Sequence, residues 1–272
     1  MKNIQRSILL VIILFLTAVE LRAQNGLTGV VTYKSYYPDK KQRNRSVDMT
    51  VYFNSYESLL ANLGQTSQPA IKVEKIDDGF NFTLPYGDSL GGRIYRNIKN
   101  NLMVIRRPEN SISDAFIVKE DWLAINWKIE TATKKIGKYT ATKATGSFRG
   151  RDYTAWFTYD IPVPFGPWKL HGLPGLILEA EDSEKMMRFY VTEIKIPYNT
   201  EEIIKVPTAA KELTLKEEAY MQDNFDDLLA KKLNARLPQG SRFTPNPSKD
   251  GRKYRTEKTY EWETDAINEN KK

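Results

Sequence analysis

From Leu27 to about Tyr159 apolar and polar positions alternate with period two. Val31, Tyr33, Ser35 and Tyr37 fall on one face of an extended segment, and Val30, Thr32, Lys34 and Tyr36 on the other. Met49, Val51 and Phe53 continue the theme, as half-buried strands require. The same pattern predicts strands at 71–75, 80–84, 93–97, 102–107, 115–119, 125–130, 141–148, 153–159, 176–181 and 187–196. Turn chemistry separates them, at Asp77-Asp78-Gly79, Asn100-Asn101 and Arg149-Gly150-Arg151. Short strands at this spacing predict an antiparallel meander, and no strand–helix rhythm of a parallel sheet is present. A short helix is expected at 55–62, where Leu59 and Leu60 can pack. A clearer one starts at Thr214-Leu215-Lys216-Glu217, which reads as a capping box. Met221, Phe225, Leu228, Leu229 and Leu233 form its apolar stripe, and Pro238-Gln239-Gly240 ends it.

The N-terminus departs from this pattern. Lys2 and Arg6 precede the apolar run Ile8–Ala18, which is short for a membrane span but suits a signal-peptide core. Cleavage after Ala23 is expected, making 1–23 a leader and leaving no integral membrane segment. Residues 24–240 are expected to form one β-rich domain. Residues 241–272 are expected to be a polar extension whose Tyr254, Tyr260 and Trp262 allow an edge strand, fraying from Ala266. The chain has no cysteine, so neither disulfides nor a lipid anchor are available and stability must come from the core. Its formal charge of +7 falls to about +5 without the leader, a mixed and modestly basic balance. An exported chain with no basic helix and no zinc module is not expected to bind nucleic acid.

One stretch breaks the alternation. Between Asp160 and Pro174 lie Pro162, Pro164, Pro167 and Pro174, so this segment cannot be a central paired strand and is expected to be an extended loop laid over the sheet. Phe165, Trp168 and Leu170 give it apolar anchors, and the expectation is that it closes one end of the core. Leu173-Pro174-Gly175-Leu176 fits a type II turn, with Pro174 setting φ and Gly175 accepting a positive φ. A buried strand follows, in which Leu176, Leu178 and Ala180 face the core.

The run Gly172-Leu173-Pro174-Gly175-Leu176-Ile177 resembles the hallmark of the GLPGLI family of exported Bacteroidota proteins. Ile136-Gly137-Lys138-Tyr139, Phe148-Arg149-Gly150-Arg151, Tyr153-Thr154-Ala155-Trp156-Phe157 and Gly166-Pro167-Trp168 are also similar to the family pattern. The molecular function of that family is unknown. The resemblance implies an envelope role, because family members are often encoded near outer-membrane receptors. Many relatives place a cysteine where this chain has Ala141, which argues against a general thiol role.

The inventory of reactive residues narrows the chemistry. One histidine and no cysteine exclude Cys/His zinc sites and thiol nucleophiles, and no metal or other cofactor is expected. Gly87-Asp88-Ser89-Leu90-Gly91 matches the letters of a nucleophile elbow and of the GDSL lipases, but the sequence around it reads as a turn between strands. His171 is preceded three residues earlier by Trp168 rather than by the aspartate of a D-x-x-H dyad. Glu179, Glu181, Asp182 and Glu184 read as a solvated strand face and turn rather than a glycosidase pair.

The expected architecture is mainly β: a bent antiparallel sheet or half-barrel with one packed amphipathic helix, resembling periplasmic lipoprotein carriers by analogy. The leading functional reading is non-catalytic binding of an apolar or peptide ligand, or of an outer-membrane protein partner. Trp156, Phe165, Trp168, His171, Gly172, Leu173, Pro174 and Gly175 are the candidate binding residues, with Trp156 singled out because it lies among threonines. The alternatives are an envelope hydrolase using Ser89 or a carboxylate with His171, and a structural scaffold. The expected location is the periplasm or the outer membrane, or secretion beyond it.

Overall fold

The computed structural model describes residues 26–38, 44–62, 71–201, 203–245 and 251–263. The leader 1–23, the start of the expected domain at 24–25, and the tail from Ala266 lie outside the described residues.

The protein is mainly β, with a large, open, bent sheet. Among the described residues, twelve strands form it. One meander comprises β1 (Gly29–Pro38), β2 (Asn44–Phe53), β3 (Glu57–Asn62), β6 (Arg93–Asn97), β7 (Leu102–Arg107) and β8 (Phe116–Asp121). The other comprises β9 (Lys128–Ile136), β10 (Tyr139–Phe148), β11 (Arg151–Thr158), β12 (Leu176–Asp182) and β13 (Arg188–Lys195). Antiparallel pairing of β1 with β13, from Val30↔Lys195 to Tyr36↔Arg188, joins the two. Register shifts at Thr32/Tyr33, Thr142/Ala144 and Trp156/Phe157 mark irregularities that add local bend and twist. The hairpin of β4 (Lys72–Ile76) and β5 (Gly79–Thr83) forms a separate two-stranded sheet.

The alternation places Val31, Tyr33, Met49, Val51, Leu60, Ile94 and Ile105 in one core with Phe157, Phe165, Leu170, Leu176, Leu178 and Phe189. Residues from both meanders and from the 160–174 segment therefore share the inner face of the bent sheet. Leu59, Tyr95 and Val104 point the opposite way and form a small outer cluster, covered in part by Ile203 and Ile204.

Three expectations are corrected. Residues 57–62 form strand β3, because Leu59 and Leu60 are buried on opposite faces, an arrangement with period two rather than a helical stripe. The single C-terminal helix is two helices, α1 (Leu215–Asp223) and α2 (Phe225–Asn234), which meet at Asn224. The capping box at Thr214 and Glu217 is present, and α1 docks through Leu215 and Met221 on Phe116, Val118 and Leu213. The short strand β14 (Lys211–Leu213) runs parallel to β8, an exception to the antiparallel pattern. Finally, residues 251–263 form no edge strand. They run as turns into a short helical segment at 261–263, with Glu257 and Tyr260 buried. Among the described residues, no helix is long and apolar enough to cross a membrane.

Candidate functional site

The 160–174 segment is a folded strap rather than an extended loop. Its prolines remove donors, and three of the remaining amides bond locally: Val163 N to Ile161 O (2.8 Å), Leu170 N to Pro167 O (3.0 Å) and Gly172 N to Pro164 O (3.0 Å). Leu176 N donates to Ile161 O at 2.9 Å and Ile177 N to Phe165 O at 3.0 Å, tying the strap to β12. Ile161, Val163, Phe165, Trp168, Leu170 and Leu173 are buried, whereas Gly172 and Pro174 are exposed. Gly175 is not a positive-φ residue, so the expected type II geometry is absent. Positive φ occurs instead at Gly172 (92°) and Trp168 (50°). Gly175 is required by close approach, since a Cβ there would lie 2.0 Å from the Thr158 carbonyl oxygen.

Charge holds the strap to both halves of the sheet. Arg96 of β6 is fully buried; its Nε donates to Ser58 Oγ (3.0 Å) and its guanidinium to the Gly166 carbonyl (3.1 Å). It has no carboxylate partner among the described residues, and burial draws its pKa down to about 10. Lys169, with no exposed surface, pairs with Glu120 of β8 and with Glu257 (2.8 Å) of the C-terminal segment. Arg149, in the β10–β11 turn, pairs with the same two carboxylates, at 2.9 Å to Glu120, and reaches Glu261 at 3.0 Å. Burial alone would raise the Glu257 pKa, but the charges of Lys169 and Arg149 outweigh it and hold the group down at about 2. Beside this cluster, Arg151 pairs with buried Asp182 and donates to the Lys253 carbonyl (3.0 Å) and the Thr256 carbonyl (3.2 Å). Lys258 N donates to Arg149 O at 3.0 Å. The C-terminal extension is thus clamped by Arg149, Arg151 and Lys169.

His171 is a packing residue. Its Nδ1 lies 2.7 Å from the Lys169 carbonyl and therefore carries the proton. Its ring meets Trp122 edge-on at 4.1 Å between centroids, and Trp127 Nε1 donates to its carbonyl at 2.7 Å. Burial lowers its pKa to about 4, so the ring is neutral at pH 7. Ser89 is exposed on a turn organised by Asp88, whose carboxylate accepts from the Leu90 and Gly91 amides and pairs with Arg106 at 2.9 Å. No hydrogen bond joins Ser89 to His171 among the described residues. Trp156 is half-buried on β11 with Lys134 Nζ 4.5 Å from its ring centroid, and Lys134 also pairs with Glu179 of β12. Asp182 is buried, rather than belonging to a solvated acidic face, and Glu184 pairs with Lys258 at 2.7 Å. Among the described residues, no group of three or more His, Asp or Glu side chains is arranged to hold a metal ion.

The strap does contribute to a cleft. A cavity of about 480 Å³ lies against the inner face of β2, β3, β6 and β7, lined by Met49, Leu60, Ile94 and Ile105. Tyr37, Trp168 and Thr256 line it as well, and its polar border includes Asn62, Arg106, Arg107 and the Tyr86–Arg93 turn. Trp168 is held by edge-on contact with Phe148 (5.7 Å) and a tilted contact with Tyr153 (6.5 Å). Of the eight residues singled out in sequence, Trp168 alone lines this cleft; Phe165, His171 and Leu173 are buried in packing, and Trp156 lies on β11 under Lys134. The cleft's apolar residues carried no special sequence signal, being ordinary inward positions of strands.

A family model described as a protein of unknown function, Porph_ging, matches residues 149–179. That span begins at Arg149 and ends just beyond the strap, so it contains Arg151, Lys169 and His171. No curated protein matches the chain. Two solved structures of PNGF-II are similar to it: one in space group P21, at 19% identity with a TM-score of 0.48, and one in space group C2, at 16% identity with a TM-score of 0.49. Each similarity covers 72% of this chain, and 33% and 32% of the respective PNGF-II chains, so the chain spans about a third of the length of those proteins.

Proposed function

We propose that this is an exported, non-catalytic binding protein of the cell envelope, whose single β-rich domain holds an apolar ligand in the cleft beneath Trp168. The observation that carries the reading is the cavity of about 480 Å³ lined by Met49, Leu60, Ile94 and Ile105. Its volume lies in the range of small-molecule sites. It is large enough for an acyl chain or ring system of about a dozen heavy atoms. Arg93 lines the same cleft; its Nε donates to the Leu90 carbonyl at 3.2 Å, and it has no carboxylate partner among the described residues. An anionic head group at Arg93 with an apolar body over Leu60 and Ile94 satisfies both features.

The test is calorimetric titration with decanoate and with decanol. Decanoate should bind the full chain and lose affinity on Arg93→Ala, while decanol should be indifferent to that change. Leu60→Trp, which fills the cleft, should abolish both. Undiminished decanoate binding by a folded Leu60→Trp variant would refute the site.

A further inference from the structure

The geometry points to a second binding site, for a small apolar primary amine, between α1 and the chain following β7. A separate cavity of about 220 Å³ opens there, with Ile112, Phe116, Met221 and Phe225 as its apolar lining. Glu218 also lines it and is itself buried, with a side chain only 3% exposed. Its Oε1 is occupied, accepting from Arg107 Nε and from Gln222 Nε2 at 3.0 Å. Its Oε2 is buried with no hydrogen-bond partner. A carboxylate oxygen withdrawn from water without a donor is costly, and the residue that carries it lines the cavity.

Charge selects the donor. Arg107 is the one cation lining the cavity and is matched by Glu218, while Glu109 adds a second carboxylate with no ion-pair partner among the described residues. The cavity therefore carries a net negative charge, which favours an ammonium group over a neutral hydroxyl and disfavours an anion. The volume admits a short aliphatic or aromatic stem behind that ammonium. Tyr86, Arg107 and Pro108 line both this cavity and the cleft under Trp168, so the two are neighbours, but their ligands differ in sign. The inference does not depend on the cleft's being occupied.

Phenethylamine, 2-phenylethanol and phenylacetate share a ring and stem and differ in head group. The full chain, labelled at its methionine methyls, is titrated with each by NMR. Phenethylamine should shift the Met221 methyl, and Glu218→Gln, which keeps an oxygen for Arg107 but removes the charge, should weaken it by about tenfold or more. The alcohol should bind more weakly and phenylacetate should leave Met221 unmoved. Equal affinity for amine and acid, or a folded Glu218→Gln variant that binds the amine as tightly as the parent, overturns the site. Should Glu218→Gln not fold, Met221→Trp fills the cavity instead, and phenethylamine binding retained by that variant, read by calorimetry because the Met221 methyl is gone, overturns it equally. Decanoate affinity of the same Met221→Trp variant separates the two sites: its retention, with loss of the amine, is the expected outcome.

Discussion

Replacing Lys169 with methionine keeps the aliphatic stem and removes the ammonium from a buried four-membered charge cluster. In the parent, Lys169 and Arg149 face Glu120 and Glu257, and all four side chains are almost fully buried. Without the ammonium, two buried carboxylates share one guanidinium, whose other ion pair is to the half-exposed Glu261. Removing one partner of a buried ion pair typically costs about 3–5 kcal/mol, because the charge left behind cannot regain its hydration. Against a domain stability of roughly 5–15 kcal/mol this is a large share. Urea unfolding at pH 7, followed by tryptophan fluorescence, should show a lowered midpoint with an unchanged denaturant slope. The double variant Lys169→Met/Glu257→Gln restores the charge balance and should recover part of the loss. The reasoning fails if Lys169→Met lies within about 1 kcal/mol of the parent, or if the double variant is no better than the single one.

Three further outcomes follow from the same geometry. Gly175→Ala places a Cβ against the Thr158 carbonyl and should destabilise by about 3 kcal/mol, read as a lowered thermal midpoint; an unchanged midpoint would remove close approach as the reason for this glycine. His171 has its folded pKa depressed to about 4 against an ordinary 6.5, so the unfolded chain binds the proton first as pH falls. Its contribution is present above about pH 6.5, is lost progressively down to about 4, and amounts to about 3 kcal/mol. Stability curves for His171→Gln should therefore be flatter than the parent's over that window, and parallel curves would contradict the burial of a neutral ring. The Glu257 carboxyl is also depressed, so its contribution is complete above about pH 4.5 and is lost as pH falls through about 2. Glu257→Gln should remove the corresponding proton uptake on unfolding, measured by calorimetry in buffers of different ionisation enthalpy, and should loosen residues 253–259 in hydrogen exchange.

Period-two alternation carried most of the architecture. Strands β6 and β7 have the bounds that pattern predicts, because each is a short run whose residues are buried on alternating faces of the sheet. The 57–62 segment misled because Leu59 and Leu60 are adjacent, and only pairing with β2 and β6 shows that one serves the inner core and the other the outer cluster. The strap was legible as a departure from strand chemistry that packs through Phe165, Trp168 and Leu170, yet the charges that fasten it were not. Local residue types say that four prolines prevent a ladder; they do not say that Arg96, seventy residues earlier, donates to the Gly166 carbonyl. Lys169 could have been suspected, as a lysine between Trp168 and Leu170 in an otherwise apolar run. Its partners Glu120 and Glu257 are remote in sequence and carry no local pattern. The cleft was invisible for a related reason, since Met49, Leu60, Ile94 and Ile105 look like any inward strand residue until the bend of the sheet leaves space above them.

Methyl-resolved NMR of the full chain saturated with decanoate addresses the cleft most directly. Intermolecular contacts should run from the acyl chain to the methyls of Met49, Leu60, Ile94 and Ile105 and to the Trp168 ring, with the outer-face methyls of Leu59 and Val104 silent. Contacts to the outer face, or saturation with no contact to those four inner residues, would contradict a ligand site beneath Trp168.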